Sequence, residues 1–167
     1  VHEGYGESSL QLQKEKKDTA KAPLNIALEA KEYAITFAAN KKTLTRKKLF
    51  DWSQESDEQI RYYSGTATYK TTFRWKNKPN KDQQIYLNLG TVYNLATVRV
   101  NGVDCGTIWT APYRADITGA LKKGINELEI EVTNTWANAL AGADEGKAPF
   151  DGIWTNAKYR RAEKTLL

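Results

Sequence analysis

Residues 127–132 read Glu127-Leu128-Glu129-Ile130-Glu131-Val132, the most regular alternation of charged and aliphatic side chains in the chain. Successive side chains of a β-strand point to opposite faces of the sheet. The pattern therefore predicts a strand with three carboxylates facing solvent and three aliphatic side chains facing a core. Half-buried strands of this kind are typical of antiparallel sheets.

A tight turn precedes this strand in the sequence. The dipeptide Asn101-Gly102 stands between the alternating segments 98–100 and 103–105. Asn-Gly readily supplies the two positive φ angles of a type I′ turn, so this dipeptide and its two flanking segments predict a β-hairpin.

Period-two alternation also recurs in segments 26–28, 33–37, 69–75 and 85–89. Residues 116–124 predict a helical turn that ends at Gly124, whereas the basic, polar residues 40–48 predict a loop. The sequence shows no pattern of long amphipathic helices, which parallel α/β folds need for their crossovers. The predicted fold class is all-β: an antiparallel β-sandwich with at most one or two short helical turns.

The length of 167 residues fits one domain. Residues 1–22 are polar and poor in large apolar side chains, which predicts a linker or the end of a preceding domain. We therefore assign residues 23–167 to the sandwich.

The composition excludes several chemistries. His2 is the only histidine and Cys105 the only cysteine, so neither a histidine-dependent triad, a zinc site nor an internal disulfide is expected. No glycine-rich phosphate loop, membrane span or signal peptide is recognisable. Oxygen ligands for calcium stand at Asp144, Glu145 and Asp151, but without an EF-hand arrangement, so we predict no metal or cofactor.

The net charge of +5 is concentrated near the amino terminus. Residues 1–48 hold ten Lys/Arg against six Asp/Glu, a local balance of +4. These cations alternate with Gln, Asp and Thr rather than with the aromatic residues of nucleic-acid surfaces. The pattern favours a solvated lysine-rich segment, so we expect neither a nucleic-acid nor a membrane partner.

Four ordered segments carry a resemblance to a known family: Ser64-Gly65-Thr66-Ala67-Thr68-Tyr69, Leu87-Asn88-Leu89-Gly90, Ala96-Thr97-Val98-Arg99-Val100-Asn101-Gly102 and Thr133-Asn134-Thr135-Trp136-Ala137-Asn138. They resemble the galactose-binding-like β-sandwich, a jelly roll, of large bacterial glycoside hydrolases and the sugar-binding domain of family 2 enzymes. The likeness is greatest to the carboxy-terminal domain of α-L-rhamnosidase-like enzymes. One departure follows Trp136, where residues 139–143 are small or aliphatic and lack the arginine expected from the family.

The resemblance implies a noncatalytic module that packs against a preceding catalytic domain of the same polypeptide and contributes to carbohydrate recognition. It also implies a monomeric domain in a secreted, periplasmic or cell-surface protein.

Sugar recognition combines flat aromatic faces with amide or carboxylate groups that bind hydroxyls. The side chains of these types in or beside predicted loops are Trp109, Tyr113, Trp136, Asn138, Asp144 and Trp154. We predict the sugar site at the loop end of the sandwich that holds them. The alternative is that these aromatic side chains cap the core, as we expect of Trp52 and Trp75.

Three function classes therefore stay open: a carbohydrate-associated module, a purely structural sandwich that supports a catalytic domain, and an independent hydrolase. Exposed loop aromatics would favour the first class, and a dry aromatic cluster the second. A deep cleft with two converging carboxylates would favour the third. The row Glu127, Glu129 and Glu131 lies on an open face with nothing to raise a pKa, so we expect no catalytic residues here.

Overall fold

A computed structural model describes residues 10–16, 24–77 and 83–147 of the chain, without the side chains of residues 16 and 24–27. The strands are β1 Gln11–Lys16, β2 Leu24–Ala27, β3 Tyr33–Phe37, β4 Thr43–Arg46, β5 Thr66–Trp75, β6 Gln83–Asn88, β7 Leu95–Val100, β8 Val103–Ile108, β9 Arg114–Asp116 and β10 Gly124–Thr133. The helical segments are a 3-10 turn at Trp52–Gln54, α1 Glu58–Arg61 and α2 Ala137–Asp144. No helix of these residues is long and apolar enough to cross a membrane.

The strands form two antiparallel sheets. A six-stranded sheet has the order β4-β3-β5-β10-β7-β8, and a four-stranded sheet has the order β2-β1-β6-β9. Buried residues of both sheets join in one hydrophobic cluster, which lies between them. The predicted all-β antiparallel sandwich is confirmed.

Strand β10 lies in the middle of the larger sheet, and its burial follows the predicted alternation. Leu128 and Ile130 are buried, while Glu127 is exposed on the opposite face. Ile130 stands opposite Tyr69 of β5 and Val98 of β7. The strand is therefore held on both sides by core residues.

The predicted hairpin turn is present, and buried amides hold it in place. Asn101 and Gly102 have φ angles of +52° and +79°. The Asn101 Nδ2 atom donates to Asn126 Oδ1 at 2.8 Å, and Asn126 bonds in turn to the backbone of Lys122 and Gly124. These bonds join two adjacent turns at one end of the sheet.

The expectation of a linker over residues 1–22 is wrong for residues 10–16. Strand β1 lies between β2 and β6 in the smaller sheet. Leu10 and Leu12 are only 2% and 3% exposed, whereas Gln11 and Gln13 lie on the outer side. The segment looked like a linker because its outward side chains are polar. Residues 1–9 and 17–22 lie outside the described residues.

Two further segments differ from the predicted loops. Residues 43–46 form β4, an edge strand paired with β3, and none of its side chains is fully buried. The lack of buried side chains explains why no apolar alternation marked it. Residues 137–144 form α2 rather than a loop, because the Ala- and Gly-rich segment packs closely on the sandwich.

Candidate functional site

Strand register brings two of the predicted loops to one end of the larger sheet. Ile108 at the end of β8 stands opposite Ala96 of β7, which stands opposite Val132 of β10. Neighbouring strands are about 4.8 Å apart, so the ends of β8 and β10 are about 10 Å apart. Trp109 directly follows β8 and Trp136 follows β10. Both tryptophans therefore lie at the same end of the sandwich.

Three large aromatic side chains are exposed at this end. The exposed fraction is 71% for Trp109, 65% for Trp136 and 45% for Tyr93. Tyr93 lies in the connection that leads into β7, the strand between β8 and β10. We call Tyr93, Trp109 and Trp136 the aromatic end. Since large aromatic residues are usually mostly buried, their exposure makes this surface the candidate site.

Tyr93 was not among the predicted site residues. It lies in a turn, where Asn94 beside it has a φ of +85°, but the sequence does not show that the Tyr93 side chain points away from the core.

Tyr113 lies near the same end but faces inward. Its side chain is half-buried against the hydrophobic core, and its carbonyl accepts a hydrogen bond from Leu89 N at 2.8 Å. The preceding Ala111–Pro112 peptide bond is cis. Tyr113 therefore fits the expectation of a core-capping aromatic better than that of an exposed sugar platform.

The polar groups predicted beside the tryptophans do not join the aromatic end. Asn138 is 5% exposed, because it lies on the inward side of α2. Asp144 is exposed at the far end of α2, seven residues and about 10 Å along the helix from Ala137. Trp154 lies outside the described residues. The structure thus brings only some of the six predicted site residues together.

Helix α2 is held beside this end by close packing. A Cβ atom added to Gly142 would come within 2.7 Å of Tyr62 Cγ. The backbone N–H of Ala139 donates to Ser64 Oγ at 3.0 Å, and Tyr62 donates its hydroxyl proton to Glu145 at 2.7 Å. The lack of a side chain at Gly142 therefore lets the helix lie against Tyr62.

Asn134 fixes the segment that carries Trp136. It is 8% exposed; its Oδ1 atom accepts from Gly65 N at 2.8 Å, and its Nδ2 atom donates to Tyr63 O at 2.9 Å. Two residues after this anchor, Trp136 projects from a backbone that is tied to the start of β5.

Trp52 and Trp75 are buried, as expected for packing residues. The Trp52 indole donates to the Tyr69 hydroxyl, and its ring meets Phe37 and Tyr63 edge to face at 5.3 and 5.8 Å. Burial raises the pKa of Tyr69. This dry aromatic cluster belongs to the core and leaves the aromatic end as a separate surface.

Two carboxylates of the row on the larger sheet, Glu129 and Glu131, form ion pairs with cations. Glu129 lies 2.9 Å from Lys70 Nζ and 3.0 Å from Arg99 Nη1, and Glu131 lies 3.2 Å from the same arginine atom. The hydrogen bond from Lys70 lowers the pKa of Glu129 below its usual value. Such a carboxylate is ionised at neutral pH, unlike the protonated acid of a glycosidase.

The described residues also hold no group of three or more potential metal-ligating side chains. Glu145, one of the candidate calcium ligands, instead accepts the hydrogen bond from Tyr62.

Comparison with known proteins agrees with the fold. Residues 38–165 match the model of the glycosyl hydrolase 2 galactose-binding domain-like family. A putative beta-glucuronidase of Formosa agariphila is 42% identical over 120 residues, which are 71% of this chain and 10% of that protein.

Solved structures give the same answer. A rhamnosidase from Novosphingobium sp. PP1Y superposes with a TM-score of 0.75 at 35% identity, over 89% of this chain and 14% of that enzyme. A beta-D-glucuronidase of Dictyoglomus thermophilum shares the fold at 19% identity and a TM-score of 0.50, over 77% of this chain and 20% of that one.

The chain thus spans only about a tenth to a fifth of the length of these relatives. The family match covers most of the chain and includes both the central strand β10 and the aromatic end. The resemblance predicted from the sequence is confirmed: this chain belongs to the glycosyl hydrolase 2 galactose-binding domain-like family.

Proposed function

We propose that this chain is a noncatalytic carbohydrate-associated module of a multidomain glycoside hydrolase. In this proposal it packs on a catalytic domain of the same polypeptide and binds sugar weakly through the aromatic end. The observation that carries the proposal is the exposure of Trp109 and Trp136, 71% and 65%, at one end of a domain from this family.

The chemistry of the aromatic end fits a sugar. Indole and phenol rings offer flat apolar faces, and the C–H face of a pyranose is apolar enough to stack on them. Covering such rings removes apolar surface from water, which is favourable at about 25 cal/mol per Å². We expect weak affinity, with a Kd of about 0.1–1 mM.

The noncatalytic part of the proposal is supported by the carboxylates. The carboxyl pKa values of Glu55, Asp57 and Glu129 are lowered, and each lowering is caused mainly by a hydrogen bond from a cation. A glycosidase acid needs the opposite shift. On this proposal, catalysis belongs to another part of a longer polypeptide.

The alternative function is a purely structural one, in which the aromatic end contacts the catalytic domain and no sugar. Two observations favour it. Asn138 is buried, and Asp144 stands about 10 Å along α2 from its first residue, so the amide and carboxylate predicted to bind hydroxyls are not beside the rings. The chain also spans 10–14% of two relatives, which leaves a large partner within one polypeptide.

Calorimetric titration of the chain with rhamnose, galactose and short oligosaccharides separates the two functions. We expect binding in the chain itself, and a loss of at least about tenfold in affinity in Trp109→Ala and Trp136→Ala. The matched control is Ile125→Ala, which removes another exposed apolar side chain, 55% exposed, at the opposite end of β10. Equal affinities in all three variants, or no binding of any sugar, would favour the structural function.

The cellular location and the oligomeric state are part of the proposal. We infer a monomeric domain in a secreted, periplasmic or cell-surface enzyme, from the resemblance to large bacterial glycoside hydrolases. Light scattering on the purified chain tests the monomeric state. Fractionation of cells that express the full-length enzyme tests the cellular location.

A further inference from the structure

The outer side of the four-stranded sheet carries a cluster of amide side chains around a tyrosine. The pleat of β1 and β6 turns Leu12, Ile85 and Leu87 into the core, so alternate residues face outward. We call the outward set the amide face; it consists of Gln11, Gln13, Gln84, Asn88, Tyr86 and Arg114. All six are half-buried rather than fully exposed.

An arginine lies over the tyrosine at the centre of the amide face. Tyr86 stands opposite Gln13, while Arg114 of β9 stands opposite Asn88, one outward position farther along β6. The Arg114 side chain crosses Tyr86 diagonally, with its guanidinium carbon 4.3 Å from the ring centroid. Its Nη1 atom then reaches Glu15 Oε1 of β1 at 2.6 Å. This cation–π contact and ion pair fix the guanidinium plane.

Much of the hydrogen-bonding capacity of the amide face is unused by the described part of the chain. A guanidinium has five N–H donors, and among the described residues only Glu15 accepts from it, through Nη1. The side chains of Gln11, Gln13 and Gln84 form no hydrogen bond with another described residue. Each amide both donates and accepts, as a sugar hydroxyl does.

The charge of this surface determines which ligand it fits. Arg114 contributes one positive charge, against the negative charges of Glu15 and Asp116, the residue opposite Tyr86. One positive minus two negative charges leaves −1, which disfavours an anionic ligand such as a uronate chain. Tyr86 is the one aromatic side chain of the amide face and is covered by Arg114, so an apolar protein partner has little to contact.

We propose that the amide face binds a neutral oligosaccharide chain laid across β1, β6 and β9. The amides and the free guanidinium donors bind its hydroxyls, and the ordered guanidinium plane sets its position. This site differs from the aromatic end and does not depend on it, since Gln13 and Gln84 lie on the side of a sheet and not on the loops at its end.

The test is an NMR titration of the isotope-labelled 167-residue chain. One arm uses neutral xylo-, cello- and galacto-oligosaccharides, and the other arm uses oligogalacturonate as the anionic probe. We expect the neutral chains to shift the side-chain amide signals of Gln11, Gln13 and Gln84 at concentrations of about 1–10 mM. We expect oligogalacturonate to leave these signals unchanged.

Variants assign the response to the amide face. Gln13→Ala with Gln84→Ala weakens binding at this face by at least about tenfold. The matched control replaces two exposed glutamines elsewhere, Gln54→Ala with Gln59→Ala, and keeps the affinity. Backbone spectra of each variant confirm that the fold persists.

Three results would overturn the inference: no shift with any neutral chain, a response to oligogalacturonate alone, or equal affinity in the Gln13/Gln84 variant. Trp109→Ala with Trp136→Ala distinguishes this site from the proposed function. Glutamine shifts that survive this variant support the amide face. Their loss would assign all binding to the aromatic end, leaving the proposed function intact and the inference wrong.

Discussion

Asn126 joins two turns with one buried side chain. It is fully buried, its Oδ1 atom accepts from Asn101 and from Lys122 N, and its Nδ2 atom donates to two carbonyls. A buried polar group that loses its partners costs more than the hydrogen bond itself contributes in net terms. The amide therefore fixes both the hairpin turn and the turn before β10.

We expect Asn126→Ala to lower the free energy of unfolding by about 2–4 kcal/mol, because it leaves the Lys122 N–H and two carbonyls without their partner. Urea denaturation of the variant measures the change. Asn77→Ala is the control: Asn77 is exposed, and its substitution should cost less than about 0.5 kcal/mol. Similar losses in both variants would contradict the structural role of Asn126.

At the residue scale, sequence reasoning identified turn and core positions well. The φ angles at Asn101 and Gly102 and the burial of Trp52 and Trp75 are as predicted. Asn126 shares the alternation of Leu128 and Ile130, which places it on the core side of β10, but its polar residue type gave no sign that it would be buried. Tyr93 was missed for a similar reason: the sequence does not show which loop side chains point away from the core.

At the scale of elements, helix α2 depends on the absence of a side chain at Gly142. A Cβ atom added to Gly142 would lie only 2.7 Å from Cγ of the neighbouring Tyr62. Helix α2 and the residues after it are attached to the α1 segment by the Tyr62–Glu145 hydrogen bond and the Lys147–Glu58 ion pair.

We expect Gly142→Ala to destabilise the chain by about 1–2 kcal/mol. Overpacking costs about 1–3 kcal/mol, while the better helix propensity of alanine recovers up to about 1 kcal/mol. Gly119→Ala is the matched control, since nothing lies within 4 Å of its added Cβ atom. Thermal unfolding compares the two variants, and a Gly142→Ala protein as stable as the control would show that α2 does not pack as described.

The elements that sequence patterns predicted are those with one clearly apolar side. β10 alternates between buried and solvent-facing residues over its central part, and β6 repeats the pattern at Ile85 and Leu87. Strand β4 escaped prediction because an edge strand of four residues buries little. Strand β1 escaped because the two core leucines at its start, Leu10 just before the strand and Leu12 within it, are set among Gln, Lys and Glu.

At the scale of the whole molecule, ion pairs on the larger sheet and around α1 tie strands and loops together. The pKa values of Glu55, Asp57 and Glu129 are lowered by hydrogen bonds from Arg46, Lys42 and Lys70. A carboxyl whose pKa is lower in the folded state than in the unfolded state stabilises the fold when it is ionised. That contribution is complete above the unfolded pKa and is lost as the pH falls through the folded pKa.

We therefore expect the free energy of unfolding to be constant near neutral pH and to fall once the pH drops below about 4.5, the ordinary range of Glu and Asp. Glu129→Gln should remove part of this decline and cost about 0.5 kcal/mol at neutral pH, because the pair is partly solvated. Glu29→Gln, at an exposed position, is the control. Urea denaturation at a series of pH values measures both, and identical pH profiles for the two variants would contradict the account.

The whole-molecule prediction of a galactose-binding-like sandwich succeeded because ordered motifs such as Asn134-Thr135-Trp136 are tied to the fold. Asn134 holds the backbone of Tyr63 and Gly65, so its place in the sequence reflects a fixed contact. The site was gathered only in part because burial on α2 decides whether Asn138 is available, and no spacing rule reveals that burial.

The indole N–H signals test the central claim most directly, since each tryptophan gives its own resonance in a ¹⁵N-labelled chain titrated with sugar. Carbohydrate binding at the aromatic end predicts saturable shifts of the Trp109 and Trp136 signals at concentrations of about 0.1–10 mM. The signals of the buried Trp52 and Trp75 should stay in place and serve as internal controls. Unmoved Trp109 and Trp136 signals with every sugar, in a protein whose buried signals show it to be folded, would contradict the account.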